Sequence, residues 1–153
     1  MKPNLYLLIF FVLLIFGGCI SIKPGYFNDD KKLAMRAVEK YHQLYNEKNF
    51  EEIYEGVHEE AKATKDKQKL IEMLSGLYQN AGKVESSELV RSSVRMLNAK
   101  ERQVELVYRT QHENEKINET FLVITNDTIG KIHTFGELSD DEVKNLPDTY
   151  KKP

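Results

Sequence analysis

Residues 66–96 read DKQKLIEMLSGLYQNAGKVESSELVRSSVRM, and the hydrophobic period changes inside them. Before Gly82, the apolar residues Leu70, Ile71, Leu74, Leu77 and Tyr78 recur at three- and four-residue spacing, which places them along one side of a helix. After Gly82, Val90, Val94 and Met96 alternate with Arg91, Ser93 and Arg95, the two-residue period of a strand covered on one face. Gly82 stands where a helix stop is expected, because glycine takes the left-handed conformation that ends helices.

Toward the N-terminus the helical period continues. Leu33, Ala34, Ala37, Val38, Tyr41, Leu44 and Tyr45 form a wide apolar stripe that predicts a long helix from Asp30 to about Glu47. Asn28, Asp29 and Asp30 are all residue types that cap a helix start, and spacing does not choose among them. Asn49 is placed to cap a short helix carrying Phe50, Ile53, Tyr54 and Val57. The polar stretch from His58 to Lys65 reads as a loop or frayed end, and the next helix spans about Asp66 to Asn80.

Toward the C-terminus the strand period continues. Val104, Leu106 and Tyr108 alternate with Glu105 and Arg109, and Val107 breaks the polarity. Phe121-Leu122-Val123-Ile124 is continuously apolar, which predicts a central strand covered on both faces. Ile129, Ile132 and Phe135 predict a last strand, with turns at Asn98-Ala99-Lys100, His112–Glu115 and Asn126-Asp127. Helices in one block and about four strands in another predict an α+β domain, its N-terminal helices packed on a curved antiparallel sheet. The domain is expected over residues 30–137, followed by a loose tail over 138–153 with one helical turn near Asp140 to Leu146.

The first residues carry a different message. Lys2 is followed by an unbroken apolar run from Leu5 to Phe16, then Gly17-Gly18-Cys19, and Cys19 is the sole cysteine of 153 residues. A basic start, an apolar run too short to span a bilayer (which takes ~20 residues) and small residues after it make an export signal. The end of the run resembles the bacterial lipoprotein box, with Phe16 in place of the usual aliphatic residue. The resemblance implies that residues 1–18 are a signal peptide, that Cys19 is lipidated, and that residues 19–29 tether lipid to domain. It places the protein in the bacterial cell envelope, with the lipid-held membrane as its first partner. Ile20 is not the aspartate associated with inner-membrane retention in some bacteria, which favours the outer membrane.

The order of elements from Lys31 to Glu137, with its Lys-Asn-Phe-Glu-Glu-Ile-Tyr segment at residues 48–54 and its Gly-Lys-Val at 82–84, resembles nuclear-transport-factor-2-like and cystatin-like domains. It is similar to small lipoproteins built on that cone-shaped fold. The resemblance rests on order and spacing, and no catalytic residue of the fold's enzymes can be matched by motif.

The chemistry read from the residues is sparse. The net charge of −2 leaves no basic excess for nucleic acid. His42, His58, His112 and His133 are scattered, with none at metal-ligand spacing, so no metal and no cofactor is expected. Adjacent carboxylates at Glu51-Glu52 and Glu59-Glu60 point about 100° apart on a helix and read as a solvated face. There is no phosphate-binding glycine loop and no Gly-x-Ser-x-Gly elbow. Tyr41, Tyr45 and Tyr108, with Phe121, fall on inward faces, where rings and hydroxyls could line a ligand pocket at the wide end of the cone. No inward carboxylate or histidine emerges from the period. The expectation is a non-enzymatic envelope lipoprotein that binds a small ligand or a partner protein. The alternatives are an isomerase or hydrolase working in the cone pocket and a cystatin-like inhibitor. The polar hairpin tips Asn98–Arg102 and Glu113–Lys116 speak against the last.

Overall fold

The computed structural model describes residues 26–147, 149 and 150. The expected signal peptide, residues 1–18, and Cys19 lie outside the described residues. Among those described, no helix is long and apolar enough to cross a membrane. The elements run α1 (Tyr26–Asn46), α2 (Phe50–Glu55), α3 (Glu59–Thr64), α4 (Lys67–Ala81), β1 (Val84–Met96), β2 (Arg102–His112), β3 (Lys116–Thr125), β4 (Gly130–Leu138) and α5 (Asp140–Lys144). The strands form one open antiparallel sheet in the order β1-β2-β3-β4. This is the α+β arrangement that the change of period implies, with the N-terminal helices preceding and covering the sheet.

Two boundaries differ from the sequence reading. Helix α1 starts at Tyr26, so residues 26–29 of the expected tether are helical. Asp30, a cap candidate, lies inside the helix, where it is 1% exposed and takes part in an ion pair with the sheet. The stretch from His58 to Lys65, read as loop, contains α3, whose Ala61 is buried. Tertiary contact decides this segment: the His58 amide donates to the Ile132 carbonyl at 2.8 Å and pins the helix start to edge strand β4. Glu59 and Glu60 in the first turn favour the helix through its dipole.

Other signals act as expected. Asn49 caps α2 by accepting from the Glu52 amide. Asp66 caps α4 by accepting from the amides of Gln68 and Lys69. Gly82 ends α4 with φ +80°, and a Cβ there would lie 2.5 Å from the Glu113 carboxylate.

The core lies between the helices and one face of the sheet. Val38, Tyr41, Leu44, Leu74, Leu106 and Phe121 share it, whereas Leu33, expected with them, is only half-buried. Opposed residues face the same way, so the pairs Val104–Val123, Leu106–Phe121 and Phe121–Phe135 trace the covered face. A bulge at Val90 reverses the parity of β1: Leu89 pairs with Tyr108 before it and Ser92 with Leu106 after it. Leu89 is therefore the buried residue, while Met96, expected inward, is half exposed at the strand end.

On the far face, Val107 is fully buried and Ile124 nearly so, but Leu122 is only partly covered. The C-terminal segment returns to this face. Its expected helical turn is α5, closed by a capping box between Ser139 and Glu142, with Val143 buried. Tyr150 lies beside Glu105 and Ser93. Burial first, then its hydrogen bond to Glu105, pushes its hydroxyl up to about 12. Val143 and Tyr150 thus lie on the same face of the sheet as the buried Val107.

Candidate functional site

One edge of α1 stands off the sheet. Leu33, Arg36, Ala37, Lys40, Tyr41 and Leu44 follow helical spacing along that edge and form one wall of a groove of about 370 Å³. Ile53 and Val57 from the α2 region, and Ile129, Ile132 and Phe135 from the β4 side, supply the remaining apolar surface. At one end the α1 backbone nearly touches the sheet: a Cβ on Gly130 would lie 2.9 Å from the Leu33 carbonyl oxygen. The groove is thus narrowed by backbone at the Gly130 end.

Its charges are unbalanced. Lys40 pairs with Glu52 at 3.3 Å and Lys131 with Glu59 at 3.1 Å. Arg36 is exposed and has no ion-pair partner among the described residues. An apolar floor with three cations and one carboxylate on its lining suits a small amphipathic anion.

The four expected pocket residues are brought together in one aromatic cluster, but only Tyr41 lines the groove. Its ring packs edge-on to Phe121 at 5.2 Å and against Phe135 at 5.0 Å. Burial first, then the charge of Glu119, holds its hydroxyl well above the ordinary value. Tyr45 is in the core, donates its hydroxyl to the Gly82 carbonyl at 3.2 Å and meets His112 edge-on. Tyr108 packs against Phe121, and burial followed by the Glu39 charge raises its hydroxyl to about 12. Phe121 is fully buried at the centre.

The expectation of no inward carboxylate or histidine is corrected. Glu119 is 6% exposed and His42 8% exposed, and His42 Nε2 lies 2.8 Å from Glu119 Oε2. Thr110 donates its hydroxyl to the same oxygen at 2.5 Å. His112, read as part of a turn, closes β2, is fully buried, and places Nε2 3.9 Å from Glu119 Oε1. Burial pushes the Glu119 carboxyl up, but the His42 hydrogen bond and charge, with Thr110 and His112, outweigh it and hold it below the carboxylate range. The signal was present in the parity of β3: Glu119 stands two residues before the inward Phe121. His42 stands four after Val38, at the margin of the stripe.

Arg102 is likewise not at a hairpin tip. It is buried, and it donates through Nε to Asp30 and through Nη2 to Asp127. The exposed apolar residues near that hairpin are Met96 and Leu97. No known protein family matches the chain, and no curated protein is similar to it.

Proposed function

We propose that the chain is a lipid-anchored envelope lipoprotein, held by Cys19, whose nuclear-transport-factor-2-like domain binds a small amphipathic anion in the groove between α1, α2 and β4. The observation that carries this reading is the groove's composition: an apolar floor reaching Tyr41, with Lys131 and with Arg36, which has no ion-pair partner among the described residues, on its lining. A ligand with an apolar body and a carboxylate or phosphate head would bury the body against Leu44, Ile53 and Ile132 and leave the head near the cations. Binding without turnover fits a groove whose lining includes no histidine and, of carboxylates, only Glu52, already paired with Lys40.

The test is titration of the full chain in neutral detergent with a fluorescent acyl carboxylate and its uncharged alcohol counterpart. The expected result is preference for the carboxylate, lost in Arg36→Glu and Lys131→Glu and weakened in Leu44→Ala. Equal binding of both probes, unaffected by charge reversal, would remove the reading.

The His42–Glu119 pair favours a second reading, acid–base catalysis. Tyr41, Tyr108 and Phe121 pack around His42, and neither member of the pair lines the groove between α1, α2 and β4. The catalytic reading gains if a ligand is recovered chemically altered from the native protein but intact from Glu119→Gln.

A further inference from the structure

His58 and His133 are 75 residues apart in sequence and adjacent in the fold, with ring centroids 5.7 Å apart. One ring nitrogen of each and one carboxylate oxygen of Glu60 lie within 4.8 Å of one another. We infer that these three residues form a binding site for a first-row divalent transition metal of the zinc class, clamping α3 to the edge of the sheet.

Three features support the assignment independently of proximity. First, Nδ1 of His58 and Nδ1 of His133 are both buried without a hydrogen-bond partner among the described residues. Buried polar atoms are nearly always partnered, so two side by side call for an explanation. Second, the backbone fixes both rings. His58 precedes the first turn of α3 in extended conformation, its amide bonded to the Ile132 carbonyl. His133 is the extra residue of a bulge in β4, between Ile132 paired with Val123 and Thr134 paired with Leu122. Bulges re-aim a side chain out of the regular alternation, here on an edge strand. Lys65 holds the far side of the bulge by donating to the His133 carbonyl at 3.1 Å. Third, charge is divided between the adjacent carboxylates. Glu59 pairs with Lys62 and Lys131, whereas Glu60 makes no ion pair among the described residues.

Two imidazoles and one carboxylate are a donor set that zinc accepts, with bonds of about 2.0–2.2 Å and room for a fourth ligand. Tetrahedral donors at that range stand about 3.4 Å apart, so any pair of the three now wider than that closes on the ion. The site lies outside the anion groove, which Val57 and Ile132 line one residue before each histidine, and it does not depend on what fills that groove.

The test is titration of the metal-free full chain in detergent with Zn2+ against a competing chromophoric chelator. One equivalent is expected to bind, with a rise in Tm. His58→Ala and His133→Ala should each weaken binding roughly 100-fold or more, since loss of even an outer partner of a metal ligand costs 10–100-fold. Glu60→Gln should weaken it less. Both histidines are only partly buried, and circular dichroism checks that the variants fold. X-ray absorption of the zinc-loaded native protein provides a reading that needs no variant, expected to show two imidazole ligands and no sulfur. Absence of stoichiometric binding, binding unchanged in the double histidine variant, or a sulfur ligand would each overturn the assignment.

Discussion

Asp30 Oδ2 accepts from Arg102 Nε at 2.9 Å, joining the second turn of α1 to the start of β2 with both side chains buried. Thr125 donates its hydroxyl to the other Asp30 oxygen at 2.8 Å, so β3 is tied to the same carboxylate. The hydrogen bonds that Arg102 donates to Asp30 and Asp127 raise its guanidinium further above its already high value. Arg102 keeps its bond to the exposed Asp127, so Asp30→Ala should cost about 1–3 kcal/mol, less than a buried pair broken with no second partner. Asp30→Leu combined with Arg102→Met should recover most of that loss. Urea unfolding of the three proteins checks both statements; a loss below about 1 kcal/mol for Asp30→Ala would class the pair with surface ion pairs.

Glu119 makes folding sensitive to acid. Its folded-state pKa is depressed below 4.5, so the unfolded chain takes up its proton first as pH falls. The stabilisation from this carboxylate is present above about pH 4.5 and is lost as pH falls through the lower folded value. Unfolding free energy measured from pH 7 to pH 3 should therefore drop more steeply in the native protein than in Glu119→Gln. Parallel curves would assign the acid loss to other carboxylates.

The change of period at Gly82 made the fold class legible, because helix and strand place side chains on a face by different rules. The parity of β2 and β3 is also legible, since neither contains a bulge in its mutual pairing. What escaped reading depends on long-range contact. Nothing local distinguishes Val90 as a bulge, and the bulge is what turns Leu89 rather than Val90 inward. Helix α3 forms where Ala61 and Ala63 are the only apolar residues, because β4 accepts the His58 amide. Of the expected pocket residues, Tyr41 reaches the groove because it lies on the α1 edge toward β4. Tyr45 points instead toward Gly82 and His112, and Tyr108, on β2, packs against His42 and Phe121.

Two glycines provide opposite predictions from the same change. Gly76 lies within α4, and a Cβ there would meet nothing within 4 Å. Gly76→Ala should stabilise the domain by about 0.5–1 kcal/mol, the cost of glycine in a helix. Gly82 has φ +80° and is crowded by Glu113, while its carbonyl accepts from Tyr45. Gly82→Ala should destabilise by about 1–3 kcal/mol. Thermal unfolding of the two single variants should move Tm in opposite directions; a shift of the same sign in both would contradict the helix-stop geometry.

The anchor is tested without reference to the domain. Burial of acyl carbons stabilises membrane association by ~0.8 kcal/mol per methylene, and a single chain holds a protein only marginally, so stable attachment takes two. The diacylglyceryl group proposed on Cys19 would supply both at once, and the chain has no other cysteine to substitute. Cys19→Ala should therefore either shift the protein from the membrane to the soluble fraction or leave it unprocessed, with the residue 1–18 segment still attached. Fractionation with mass determination of the N-terminal peptide separates the two results. Normal cleavage together with unchanged membrane fractionation would show that the anchor is not lipid on Cys19. The domain itself should be unaffected by the change, since Cys19 lies well before Asp30 and Ala34, where burial among the described residues begins. Comparable Tm values for the native and Cys19→Ala proteins in the same detergent would confirm that membrane attachment and folding are independent.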